Sequence, residues 1–171
     1  MTLPAIRLAV DADARPIAVM SRCLIEVGLR GWSWNPSRVL HAIQHPDCCV
    51  AVAEINGERA GFAIGEFGDS KLHLSLMAVA TTHQRQGIGR ALMAWLEQSA
   101  LTAGISEIHL ELRANNQGAL FFYQSFGFAF VRAVPGYYRS EEAAIKMRRR
   151  IGLDSAMPAS ELVTKLLFNN K

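Results

Sequence analysis

Apolar and polar positions first alternate in this chain, then coil, then alternate again. "AIRLA" near the start has the period of two of a short strand. The spacing in "ARPIAVMSRCLIEVGL" predicts an amphipathic helix, capped by Asp11 and ending near Gly28 or Gly31. Asn35 as cap and Pro36 in the first turn predict a second helix that stops before Pro46. "CCVAVAEI" and "ERAGFAIGEF" then flank Asn56-Gly57, a pair that adopts positive φ readily and so favours a two-residue hairpin. "KLHLSLMAVA" reads as the next strand, with Leu72, Leu74, Leu76 and Ala78 on one face and His73, Ser75, Met77 and Val79 on the other. A helix over residues 88–103 follows, its inner face carrying Leu92, Trp95, Leu96 and Ser99, and Gly104 closing it.

"EIHLELR" is a further strand that puts Glu107, His109, Glu111 and Arg113 on one face. "NNQGALFFYQSF" predicts a helix ended by Gly127, and "FAFVRAV" and "EAAIKMRR" are two last strands joined through "PGYYRS". The order β-α-α-β-β-β-α-β-α-β-β predicts an α/β fold built on a mixed sheet with helices on both faces. Residues 1–151 read as one domain and 152–171 as a tail whose "SELVTKLLF" has the pattern of a short amphipathic helix.

Composition narrows the chemistry. A chain of 171 residues, half of them apolar, has enough material for one real core. No apolar run is long enough to cross a bilayer, and "MTLPAIRLAVDADAR" lacks the basic start and apolar block of a secretory signal, so a cytoplasmic protein that does not engage membranes is expected. Cys23, Cys48 and Cys49 are odd in number and lack metal-ligand spacing, so neither a disulfide framework nor a metal site is expected. The net charge is +3, and the one basic block, residues 148–150, ends a strand without interleaved aromatics, which argues against nucleic acid.

Between the fourth predicted strand and the helix after it lies "QRQGIGR", Gln84, Arg85, Gln86, Gly87, Ile88, Gly89 and Arg90. It lacks the Gly-Lys-Ser/Thr of a Walker A loop, and Leu92 stands at the third glycine position of the dinucleotide fingerprint. Glycines here let successive N–H groups converge at the positive end of a helix dipole, which suits a pyrophosphate. A plain helix entry with close strand–helix contact fits the same residues.

The context resolves the choice. "LMAVATTHQRQGIGRALM", "LELRANNQGALFFYQSFGF" and "GYYR" resemble the GNAT superfamily of acyl-CoA-dependent N-acetyltransferases, and within it the bacterial ribosomal-protein-alanine N-acetyltransferases, which acetylate protein N-termini. Gln84, Gly87 and Gly89 match the superfamily's Gln/Arg-x-x-Gly-x-Gly/Ala loop, and "GWSW" is similar to the tryptophan-containing loop of that branch. The strong likeness covers residues 71–149. It departs before the loop, where the family often has Asp-Pro-x-Tyr and this chain has Ala80-Thr81-Thr82-His83.

The resemblance implies a central twisted, mostly antiparallel sheet with helices on both faces and acetyl-CoA as co-substrate without a metal. It also implies a pyrophosphate held by N–H groups of residues 85–90 and a pantetheine arm along Met77, Ala78 and Val79, with Asn116 beside it. For Asn116 a helix cap is the alternative role. The resemblance further implies Glu111 as the base, acting through water, and Tyr123 as the acid that protonates the departing thiolate. It implies acceptor contacts around Trp32, Trp34, Ser75 and Tyr138, with Tyr137 as a further candidate. Without it, Glu111 belongs to a solvated strand face and Tyr123 to a helix core stripe.

The acceptor is expected to be a primary amine attacked directly. A protein α-amino group, with pKa near 8 against about 10.4 for lysine, costs roughly 3 kcal/mol less to deprotonate at neutral pH. That difference and the resemblance favour a protein N-terminus. A small-amine acetyltransferase and a non-catalytic acyl-CoA-binding module remain as alternatives, and the sequence does not specify an oligomeric state.

Overall fold

The structure is a computed structural model in which residues 3–138 and 142–152 are described. Its strands are β1 (Ala5–Leu8), β2 (Cys48–Ile55), β3 (Glu58–Phe67), β4 (Lys71–Val79), β5 (Glu107–Arg113), β6 (Ala129–Tyr138) and β7 (Glu142–Arg150). The helices are α1 (Ala14–Leu24), α2 (Pro36–Gln44), α3 (Ile88–Thr102) and α4 (Gln117–Ser125). The predicted tail helix and residues 139–141 lie outside the described residues; Pro135–Tyr138, expected in the joint of the last hairpin, instead continue β6.

The strands form one seven-stranded sheet in the order β1-β2-β3-β4-β5-β7-β6. Every pairing is antiparallel except β4 with β5, which the α3 crossover makes parallel. The β2–β3 hairpin turns on Asn56 and Gly57, whose φ values of 52° and 82° are those such a turn needs. α3 and α4 cover one face, over Leu72, Leu74, Leu92, Leu96, Ile108 and Leu110. α1 and α2 cover the other, over Ile17, Val39, Val50, Phe62, Ile64 and Leu76. Each large apolar side chain so enclosed contributes about 1.5–3 kcal/mol.

Two features close the helices as the sequence predicts. Asn35 Oδ1 accepts from the Arg38 N–H at 3.0 Å, capping α2. Gly104, at φ 75°, ends α3, with Ile105 N–H donating to Ala100 O at 2.9 Å and Gly104 N–H to Leu101 O at 3.0 Å.

Four further details differ from expectation. Asp11 does not cap α1. Residues Asp11–Asp13 form a 3₁₀ turn, and the Asp13 carboxylate, fully enclosed, accepts from Val10 N–H, Arg7 and Arg59. α1 stops at Leu24, because the buried Glu26 carboxylate captures the N–H groups of Ser33 at 2.7 Å and Trp34 at 3.0 Å and folds the chain into a loop. The inner face of α3 runs through Met93 and Ala100, leaving Trp95 and Ser99 half-buried at its margin.

The fourth concerns β4. Its alternation is broken by a bulge at Ser75: Ile64 pairs with Leu76 but Gly65 pairs with Leu74. One extra residue reverses the faces beyond it. Leu72 and Leu74 therefore pack under α3, while Leu76 and Ala78 pack under α1 and α2. Met77 and Val79 turn to the α3 side, away from the face that carries His73.

Candidate active site

Parallel pairing of β4 with β5 runs only from Lys71↔Glu107 to Leu74↔Leu110. Past that point β4 continues through Val79 on β3 alone, and β5 continues through Arg113 on β7 alone. The two strands part like a V whose apex is the Ser75 bulge. On β4 the Ala80 N–H donates to Ala60 O of β3 at 2.8 Å. Antiparallel alternation therefore turns the main-chain groups of Val79 and Met77 the other way, towards the opening. The side chain of Ala78, by contrast, packs against the α1–α2 core.

At the wide end of the V the chain winds through a 3₁₀ turn, Thr81–His83, and then residues 84–90. Arg85 and Gly87 both have positive φ, 63° and 81°. For arginine this conformation costs about 1–2 kcal/mol. The first bond of the α3 ladder is Ala91 N–H to Gly87 O at 2.9 Å, so the N–H groups of Ile88, Gly89 and Arg90 have no acceptor within the helix. They stand at the positive end of a 15-residue helix. A side chain at Gly87 would meet nothing within 4 Å, whereas one at Gly89 would come within 3.2 Å of the Phe122 ring. Gly89 thus permits the close approach of α3 and α4.

The polar side chains of this segment are anchors. Gln84 Nε2 donates to Val79 O at 3.2 Å and Gln86 Nε2 to Thr82 O at 3.2 Å, while the Arg90 guanidinium lies 4.8 Å from the Phe126 ring centroid. Across the opening, Asn116 caps α4 through its Oδ1, which accepts from Ala119 N–H at 3.0 Å and leaves the amide N–H groups as donors.

Glu111 projects from β5 on the opposite face from α3. His73 Nε2 lies 2.5 Å from Glu111 Oε2, and Lys146 Nζ of β7 lies 3.0 Å from Oε1. The His73 hydrogen bond, followed by that from Lys146, outweighs burial and pulls the Glu111 carboxyl down to about 2. The same bond raises His73 above its ordinary 6.5 against burial and the nearby Lys146. Ser75 Oγ donates to Glu66 Oε1 at 2.5 Å and lies 3.3 Å from His73 Nδ1.

Tyr138 lies within electrostatic reach of Glu111, Arg113 and Glu142, and burial pushes its phenol well above its ordinary value. Tyr123 is buried under α4, edge-on to Phe122 and Phe128, and burial and the nearby Tyr138 raise its phenol too. Glu111 and Tyr123 therefore lie on opposite faces of the sheet.

Of the expected acceptor contacts, Ser75 and Tyr138 join this cluster. Trp34 does not: it packs against the α1–α2 core with the Arg38 guanidinium 4.1 Å from its ring centroid. Trp32 is part-exposed in the same loop. That loop is tied to the site by Arg113, which donates to Val27 O at 2.6 Å and pairs with Glu142 at the start of β7. His73, Lys146, Arg113 and Glu26 were not singled out by sequence. Each is an isolated polar residue in an ordinary strand or helix-end pattern, and only the insertion of β7 beside β5 unites three of them. A shallow groove lined by Met20, Leu24, Arg59, Ala80 and Thr81 runs between α1 and the end of β4, and no motif marks it. Among the described residues no cluster of side chains suits a metal ion.

Residues 18–128 match the family described as acetyltransferase (GNAT). Over 83 residues the chain is 37% identical to a ribosomal-protein-alanine N-acetyltransferase of Escherichia coli (strain K12), covering 48% of this chain and 56% of that protein. The chain thus spans little more than half the length of that relative. The fold is similar to the crystal structure of an Escherichia coli ribosomal-protein-alanine N-acetyltransferase, with TM-score 0.75 and 26% identity over 88% of this chain and 96% of the other. It is also similar to an N-acetyltransferase from Thermoplasma acidophilum in complex with coenzyme A, with TM-score 0.75 and 18% identity over 88% of this chain and all of the other, a likeness of fold alone.

Proposed function

Because this chain belongs to the acetyltransferase (GNAT) family, we propose that it transfers acetyl from acetyl-CoA directly to a primary amine, the N-terminal α-amino group of a protein before any other. The observation that carries this reading is the opening between β4 and β5. An unpaired strand edge leads from a main-chain cradle at a helix N-terminus to a carboxylate on one face and a phenol on the other.

In this reading the N–H groups of residues 85–90 hold the pyrophosphate, and the Met77 and Val79 main chain, with the Asn116 amide, aligns the pantetheine arm. When bound, acetyl-CoA supplies an activated thioester. Glu111 and the cations around it handle charge on the amine side. Tyr123, protonated at neutral pH, donates to the departing thiolate. The acceptor lies on the α1–α2 face, bordered by Ser75, Tyr138 and the loop that carries Trp32 and Trp34. The Escherichia coli relative, an N-acetyltransferase of a ribosomal protein's alanine, supports a protein N-terminus. Residues 1–151 act as one domain, supported by Ile151, which is buried and donates to Ser106 O at 2.9 Å. Three free cysteines support a cytoplasmic setting.

Thiol release from acetyl-CoA, measured against peptides with varied first residues and against small amines, tests the reading. Release with alanine-initiated peptides is the expected result. Release with small amines alone makes the protein a small-molecule acetyltransferase. No release, with tight coenzyme A binding, makes it a non-catalytic module.

A further inference from the structure

Among the described residues, each oxygen of Glu111 already holds a cationic or donor partner. Both are engaged, by His73 from β4 and by Lys146 from β7, and its carboxyl lies at about 2. A carboxylate held so low is a poor proton acceptor near neutral pH. His73 is better suited. With Nε2–H donating to Glu111, the imidazole keeps a lone pair on Nδ1. Its side chain is 42% exposed, and it sits two residues before the bulge at the apex of the strand opening. Once protonated, Nδ1 has an acceptor in place: Ser75 Oγ is 3.3 Å away, with its own hydrogen committed to Glu66. The surroundings thus accommodate the charged ring as they stand, and the neutral ring once Ser75 turns its hydrogen from Glu66 to Nδ1.

We propose that His73 receives the proton lost by the acceptor amine and that Glu111 is its positioning partner. This rests on the acetyl-transfer reading above. An incoming ammonium sheds two protons. The first passes to His73 Nδ1, directly or through one water, and later to solvent. The freed nitrogen forms the C–N bond as the C–S bond breaks, Tyr123 protonates the thiolate, and the nitrogen's second proton returns through water to the Tyr123 phenolate. No oxidant, metal or covalent enzyme intermediate is required.

The groups that face His73 decide its pH behaviour. Glu111 of β5 and Glu66 of β3 favour the imidazolium, and Lys146 of β7 opposes it. Its register partner on β5, His109, is held by Glu107 at 2.8 Å. The working form is neutral and the charged form is favoured, so kcat/KM is low below 6.5 and rises as pH climbs through the elevated value.

Two variants and one titration test this. His73→Gln, checked for unchanged coenzyme A affinity, is expected to lower kcat/KM roughly 100-fold and to abolish the acid limb of its pH profile. Glu111→Gln is expected to keep the limb but move it to lower pH, since the ring loses its anion. In parallel, NMR of the histidine ring in the full chain follows His73 without reference to turnover. It is expected to titrate above 6.5 in the wild type and lower in Glu111→Gln. A limb lost in Glu111→Gln but retained in His73→Gln makes the carboxylate the base and overturns the proposal. So does a wild-type His73 that titrates at or below its ordinary value. A wild-type chain inert towards every amine, with His73 titrating as expected, overturns the acetyl-transfer reading and the proton role with it, while leaving the pairing itself intact.

Discussion

On the α3 side of the strand opening, the candidate cofactor site is main chain: N–H groups at residues 88–90 and the open edge at Met77 and Val79, all within one short stretch of sequence. On the α1–α2 side, the candidate acceptor site is side chain: His73, Glu111, Lys146 and Arg113, drawn from three strands. The first kind of site asks only that backbone be free to turn and approach. The second depends on register, because one residue of slip sends every participant through the sheet. The comparison separates what each side should lose on mutation.

Tyr123 is the sharpest probe, since it packs with the cofactor side yet is assigned chemistry. Tyr123→Phe is expected to lower kcat about 100-fold with little change in coenzyme A affinity. An equal loss in both would reduce the residue to packing. Gly89→Val comes next. Its side chain must enter the 3.2 Å gap to Phe122, and overpacking of this kind costs about 1–3 kcal/mol, or roughly 5- to 150-fold in the coenzyme A Kd by calorimetry. Unchanged affinity would break the claim that main-chain approach builds this side.

Arg113→Met probes the other side with a smaller effect. It frees the loop at Val27 and the Glu142 pair. Losing a charged hydrogen bond costs about 1.5 kcal/mol at the low end, so the KM for a peptide acceptor should rise about tenfold while coenzyme A binding holds. If coenzyme A binding falls equally, the two sides are not separable.

The same division explains what could be read early. Asn56-Gly57, Asn35-Pro36 and Gly104 announce their turns and caps through local backbone preference, and the structure keeps each one. Asp11 misled because a buried neighbour, Asp13, was claimed by two arginines distant in sequence or across a strand. The period of two along β4 misled because nothing local to "HLSLM" marks a bulge; the extra residue is set by how β3 and β4 pair. His73 escaped notice because its partner, Glu111, lies on another strand 38 residues along the chain.

By itself, the sequence determined the elements, the glycine-dependent loop and the faces of β5, since these follow from φ preferences and from burial periodicity over a few residues. Tertiary structure alone decided that β7 enters between β5 and β6, that the parallel pairing of β4 with β5 sets His73 against Glu111, and that Lys146 completes the group. The two contacts to Glu111 join positions 38 and 35 residues apart. No local propensity encodes them; they arise only when strands choose neighbours to close a common core.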